Sequence, residues 1–373
     1  MQVIHHTIPN SSIGTYRELI EYQFNTAPSA PVVFIQAGLH ADEWPGILTI
    51  QHLIPLLEQL EADNKLIANF RILPYANPIG LDQHFYGYTL GRLNRENGQN
   101  FNRGFQLNLE SLVETVKPQL SNDRNQNKER IRAAILQQVS DLPEVTELQC
   151  LHKLILSISL QADYVLDLHC DKKALGHIYC SDHLQETGKQ LASCLNFPVV
   201  ILEDVLEQNA FDGVHIQPWI WLQKQFTEYD IPLACFSTTV ELRGKADVND
   251  TLADMDSQNL IQFLINQELI AGNKQSRDIQ LHISRLEQID AVTNASPGFI
   301  NYTCQLGNTV QKGDKIAEII LIGKDKANQR TPVVAGTSGL LFGIHDLALV
   351  RKGEVVAMIA GTETVREAKQ ISD

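Results

Sequence analysis

From residue 31 the chain alternates short apolar runs with amphipathic stretches. PVVFIQA (31–37) is rich in β-branched residues, the pattern of a strand buried on both faces of a parallel sheet. Gly38 ends it. Beyond it, Ile47, Ile50, Ile54 and Leu57 recur at helical spacing, and Pro45 stands near the start, where a proline costs no helical hydrogen bond. ANFRILPYA (68–76) reads as the next strand and runs into Asn77-Pro78. Strand, helix and strand in that order predict an α/β fold with a mixed, largely parallel sheet flanked by helices.

The middle of the chain changes period. LESLVETVKPQL (109–120), NKERIRAAILQQVSDL (127–142) and TELQCLHKLILSISLQ (146–161) each predict a helix, the third opened by a capping box, Thr146-x-x-Gln149. Together they read as a helical insertion over about 104–161, with the polar SNDRNQNKE (121–129) as a linker inside it. Strand patterns resume at ADYVLDLHCD (162–171), GHIYC (176–180) and PLACFSTTVEL (232–242), and a helix over 251–269 closes the region. The polar AGNKQSRD (271–278) then separates a first domain, 1–274, from a C-terminal one, 275–373.

The C-terminal segment contains an internal repeat. VQKGDKIAEI starts at Val310, and VRKGEVVAMI starts forty residues on at Val350. The shared V-x-K-G-[DE]-x-[IV]-A-x-I places a turn at the glycine and an alternating strand after it. Two such halves predict a small all-β barrel-sandwich with pseudo-twofold symmetry, laid out like lipoyl or biotinyl carrier domains. Asp325-Lys326-Ala327 echoes a lipoylation tripeptide, but its surroundings, GKDKANQR, read as a solvated charged loop.

Composition narrows the partners. The formal net charge of -14 over 373 residues excludes a general nucleic-acid binder, which needs a basic face, and argues against docking on anionic membranes. A local arginine cluster for a small anion is still compatible with it. No apolar stretch is long enough to span a bilayer, and the N-terminus lacks the basic-then-apolar pattern of a signal peptide. The six cysteines have no paired spacing and read as free thiols of a reducing compartment, the cytoplasm.

Three of the predicted strands end in chemistry. The first leads to His40-x-x-Glu43, the strand ADYVLDL to His169, and PLACFSTTV to Glu241. Ligands of open α/β sheets bind beyond the carboxyl ends of strands, so parallel neighbours would bring these four residues to one cleft. His40, Glu43 and His169 are a donor set for catalytic zinc, which takes three protein ligands and keeps a fourth position open. Taken singly, each has a plain alternative: His40 a cap, Glu43 a first-turn acid, Glu241 a salt bridge to Arg243. Cys170 points to the opposite face from His169, which argues against a fourth ligand, whereas Asp171 shares the face of His169. Between the first two strands' residues and His169 lies GRLNRENGQNFNRGF, which packs Arg92, Arg95 and Arg103 among asparagines and suits capture of a carboxylate.

In order, H-x-x-E after a strand, N-P, R…N-G-x-N-F-N-R-x-F, D-L-H and a strand ending in V-E resemble the succinylglutamate desuccinylase/aspartoacylase family of the zinc metallocarboxypeptidase superfamily. The resemblance runs from about residue 31 to 245. It implies one zinc ion held by His40, Glu43 and His169, Glu241 as the catalytic glutamate, and Asn102 with Arg103 as the carboxylate anchor. It implies Arg92, rather than Arg95, as the arginine that stabilises the oxyanion. The chain departs from the family pattern at Cys170 and Asp171, in lacking an acid before the N-R pair, and in its long insertion. The expected activity is zinc-dependent deacylation of a small carboxylate-bearing amide, an N-acyl amino acid. A peptide metallocarboxypeptidase and a non-catalytic zinc-containing binding protein are the alternatives. A homo-oligomer is compatible with all three.

Overall fold

The computed structural model describes residues 1–9, 12–207, 209–323 and 329–365. The lipoyl-like Lys326 lies outside the described residues. At the centre is a nine-stranded sheet, in spatial order Gln2–Ile8, Arg17–Phe24, Asn69–Leu73, Val32–Ala37, Tyr164–Asp171, Phe236–Gly244, His177–Ser181, Val199–Glu203 and His282–Arg285. The Asn69, Val32, Tyr164 and Phe236 strands run parallel to one another. The Arg17 and His177 strands make antiparallel joints on either side of that block. The expected mixed, largely parallel sheet flanked by helices is therefore present.

Helices cover both faces because the central strands are apolar on both. On one face Pro45–Ala62 and Asp250–Asn266 bury Ile50, Leu53, Leu57, Leu260 and Phe263 against Val33, Ile35, Leu166 and Val240. Gly46 lets the first of these helices sit close to the sheet: a Cβ there would fall 2.8 Å from Leu168 Cβ. The other face carries Phe211–Gln225 together with the helices of the insertion, Leu109–Val116, Arg124–Ser140 and Glu147–Ser159. Both halves of the Thr146/Gln149 capping box are formed. SNDRNQNKE differs from expectation. Asp123 caps two backbone N–H groups, so the helix begins at Arg124, inside the stretch read as a linker.

The C-terminal repeat folds as predicted from its period. Thr309–Val310 and Lys315–Ile320 form one half, Leu349–Val350 and Val355–Gly361 the other. Gly313 and Gly353, at φ +91 and +86, make the two turns. Each half gives its short strand to one sheet and its long strand to the other. Two connections join this unit to the large sheet. His282–Arg285 pairs parallel with Val199–Glu203. Lys173–Ala174, only four residues past His169, pairs antiparallel with Gly343 and Ile344 of a C-terminal strand.

Candidate metal centre and substrate cavity

The sheet's register assembles the site. Ala37 lies opposite Leu168, and Glu241 opposite His169, on three adjacent parallel strands. The turn after Ala37 then carries His40 and Glu43 over the end of the His169 strand. That turn is fixed from outside. Ala41 N–H donates to Gly91 O at 3.0 Å, and buried Asn77 donates to Leu39 O at 2.8 Å while capping the helix that starts at Pro78.

His40, Glu43 and His169 are all buried, and one potential ligand atom from each lies within 4.8 Å of the others. Glu43 is the hub. Its Oε1 is 3.0 Å from His40 Nδ1, and its Oε2 is 2.8 Å from His169 Nδ1 and accepts Cys170 N–H at 3.2 Å. The Nε2 atoms are committed elsewhere, His40 to Asn100 Oδ1 and His169 to Asp167 Oδ2, both at 2.8 Å. Asp167 is itself buried and accepts from Gln36 Nε2 at 3.0 Å. An acceptor on the outer nitrogen fixes the tautomer and turns the inner lone pair toward a metal. Two inward Nδ1 atoms and a carboxylate are a donor set that fits zinc, with room for a fourth group. Cys170 contributes its backbone N–H to Glu43, and its sulfur is not in the cluster.

Charge and burial are balanced against each other here. Burial alone would raise the Glu43 carboxyl, but His40 and His169 outweigh it and hold it well below the ordinary range. Burial would lower His169, yet Asp167 and Glu43 carry it well above the usual value. Burial first, then Arg92 and His169, lowers His40 despite Glu43. Glu241 is pushed well above the carboxylate range by burial and by Glu43, and its Oε2 has no hydrogen-bond partner. The suggested salt bridge from Glu241 to Arg243 does not form: Arg243 pairs with Asp256 instead.

These groups line one cavity of about 500 Å³, within the ordinary range for a small-molecule site. Arg92 reaches it with Nη1 3.3 Å from Glu43 Oε1. Asn102 and Arg103 line it too. Asn102 Oδ1 accepts Phe211 N–H at 2.8 Å, and Arg103 Nη1 donates to Asn102 O at 2.7 Å. Arg95 is not among the lining residues. Residues 343–345 and 354–358 of the C-terminal unit are. Asn100, Asp167, Gln36 and Asp212 are site residues without an assigned role from sequence. Asp167 had a signal, since it sits two residues before His169 and so shares its face. Asp212, at the start of a helix, is buried in the cavity wall and raised to about 6 by burial and Asp167.

A mixed α/β sheet thus brings a His-x-x-Glu and a distant His together as a group that could hold a metal ion. Residues 29–258, more than half of the chain, match the succinylglutamate desuccinylase/aspartoacylase catalytic domain, and the chain belongs to that family. Among solved structures, a family protein from Shewanella amazonensis superposes with a TM-score of 0.84 at 21% identity, covering 96% of this chain and 98% of that one. One from Shewanella frigidimarina gives 0.84 at 20% identity, covering 96% and 97%. The ectoine utilization protein EutE of Ruegeria pomeroyi gives 0.66 at 17% identity, covering 96% and 95%. At these identities the likeness shows the shared fold. Curated protein sequences give no match. No helix among the described residues is long and apolar enough to cross a membrane, and all six cysteines are free.

Proposed function

We propose that the chain is a zinc-dependent amidohydrolase that removes the acyl group from an N-acyl amino acid. The observation that carries this reading is the opening of the His40, Glu43 and His169 donor set into a cavity that also holds Glu241, Arg92 and Arg103. His40, His169 and Glu43 would hold the ion, which when bound would supply a Lewis acid that acidifies water and polarises a carbonyl. Glu241 stands opposite His169 in the sheet and takes the water proton, then returns it to the nitrogen that leaves. Arg92 places its guanidinium beside Glu43 and stabilises the charge that develops on the carbonyl oxygen. Asn102 and Arg103 anchor the carboxylate of the amino acid, which fixes its orientation.

Small amides rather than long peptides are the substrates, because the C-terminal unit closes part of a cavity of about 500 Å³. The domain division at about residue 274 then has a catalytic meaning, with the second unit serving as a wall. The free cysteines support a reducing, cytoplasmic setting.

The test combines metal analysis with a screen of N-acyl amino acids and short peptides. Glu241→Gln should retain zinc and lose turnover by roughly 10²- to 10⁴-fold, the usual worth of a general base. Substantial activity retained in that variant would overturn the role of Glu241. Bound zinc with no hydrolysis across the panel would overturn the enzymatic reading.

A further inference from the structure

The C-terminal unit brings to the cavity one side chain that the catalytic reading leaves unused. His345 follows the Gly339–Ile344 strand, lines the cavity and is only 8% exposed. Its backbone is fixed on two sides: the N–H is shared by Val356 O at 3.1 Å and Tyr302 Oη at 3.0 Å. The Tyr302 hydroxyl in turn donates to Val356 O at 2.7 Å. The ring is fixed as well, because Nδ1 accepts the Leu347 N–H at 3.0 Å. An Nδ1 that accepts leaves the proton of the neutral imidazole on Nε2.

That Nε2 has no hydrogen-bond partner among the described residues. Glu354 Oε2 approaches it only to 3.9 Å, beyond hydrogen-bonding reach. The ring is nearly buried, but Nε2 is not among the buried side-chain atoms that lack a partner, so it keeps accessible surface and opens on the cavity. Held on a cavity wall, it is set to meet an oxygen that arrives with a ligand.

We propose that His345 is a specificity-determining residue whose Nε2–H donates to an uncharged oxygen of the substrate, a carbonyl or hydroxyl other than the scissile carbonyl. This rests on the N-acyl amino acid reading above. The acceptor is uncharged because of what surrounds it. Glu354 stands beside the ring, and Asp171, Glu203 and Asp212 line the same cavity. Of the cations in the wall, Lys245 is paired with Asp42 and Arg92 with Glu43, Arg103 serves the first carboxylate, and Lys172 lines the cavity too. A second carboxylate at His345 would meet the negative charges of Glu354 and Asp346, whose oxygens stand 3.9 and 3.5 Å from the ring nitrogens. The substrate therefore carries one carboxylate, for Asn102 and Arg103, and a neutral polar group for His345.

The experiment uses the zinc-loaded full chain and matched substrate pairs that differ only in one terminal group. Succinamoyl is set against succinyl in the acyl half, and glutamine against glutamate in the amino-acid half. The neutral member of at least one pair should have the higher kcat/KM, by about tenfold. His345→Asn keeps an acceptor for the Leu347 N–H but removes the outer donor. It should raise KM for the preferred substrate about tenfold, change kcat far less, and erase the preference. His345→Gln places an amide N–H near the lost position and should recover most of it.

Equal losses in the Asn and Gln variants would reduce His345 to a structural residue and overturn the proposal. So would preference for the charged member, or a preference indifferent to both substitutions, in a protein that does hydrolyse the panel. Hydrolysis of no N-acyl amino acid would instead overturn the functional reading itself, and this proposal with it.

Discussion

On the sheet side of the cavity both ring nitrogens of His40 and of His169 are engaged, the inner ones facing Glu43 and the outer ones held by Asn100 and Asp167. On the C-terminal side His345 has one nitrogen tied to the backbone and one free to meet a ligand. The first arrangement leaves no rotation in the donors, as a metal site requires. The second leaves a contact to be completed by the substrate. On the proposed reading the sheet side is a rigid chemical floor and the C-terminal side a wall that selects, joined by the Lys173–Ala174 ladder and by the pairing of His282–Arg285 with Val199–Glu203. Chemistry and selectivity should then respond to different substitutions.

Acid should act most strongly on the floor, through two buried histidines behind it. His152 donates Nε2–H to Phe101 O at 3.1 Å, bracing the loop that carries Arg92, Asn100 and Asn102. His215 donates Nδ1–H to Phe211 O and accepts from the Ser159 hydroxyl, each at 2.8 Å. Burial lowers both to about 4 from an ordinary 6.5. The unfolded chain therefore binds more protons than the folded one between those values. The stability these residues contribute is complete above pH 6.5, falls as the pH drops, and is gone below about 4. Each is worth about 3 kcal/mol across that window, from the shift at about 1.4 kcal/mol per pH unit. Denaturant midpoints recorded from pH 7.5 to 4 should fall accordingly. A flat profile down to pH 5 would show that neither imidazole is held neutral.

Asp167→Asn tests the floor at one atom. The carboxylate accepts from His169 with one oxygen and from Gln36 with the other, and an asparagine can accept with only one. Zinc affinity should fall roughly 10- to 100-fold, the usual effect of losing such an outer partner, as read by chelator competition. Substrate preference should stay where the wall sets it. Unchanged zinc affinity would show that His169 is oriented without Asp167.

The floor was largely legible in the sequence because it follows from strand grammar. Short apolar runs that read as parallel strands, each leading to a polar group, are enough to bring His40, Glu43, His169 and Glu241 together. Asn100 was not legible, since its place depends on how a loop with a glycine at φ +75, Gly98, folds back on His40. The wall was hidden for a different reason. His282–Arg285 joins the large sheet after a polar stretch that reads as a boundary, and Lys173–Ala174 is too short to show a period. His345 follows an apolar strand with no motif around it, so only the pairing of distant segments brings it to the cavity. The N-terminal strands Gln2–Ile8, at the sheet edge, and Arg17–Phe24, next to it, were missed too, being antiparallel strands with mixed burial.

A matched pair of glycine substitutions reads the same contrast with the smallest change, one methyl group. At Gly91 a Cβ would lie 2.2 Å from Asp42 N and 2.5 Å from Ala41 C, inside the backbone of the turn that carries His40 and Glu43. Backbone cannot step aside, so Gly91→Ala must move the turn. It should cost about 1–3 kcal/mol, typical of overpacking, and weaken zinc with it. At Gly343 a Cβ would lie 2.5 Å from Met358 Cε, the end of a flexible side chain that also lines the cavity. The thioether can re-rotate, so Gly343→Ala should cost less than about 1 kcal/mol. It should leave zinc affinity alone and shift the ranking of substrates by size. Thermal melts, zinc titration and a substrate panel on the two variants separate these outcomes. Equal zinc loss in both would mean that the wall and the floor move as one body, and the division of labour between them would fail.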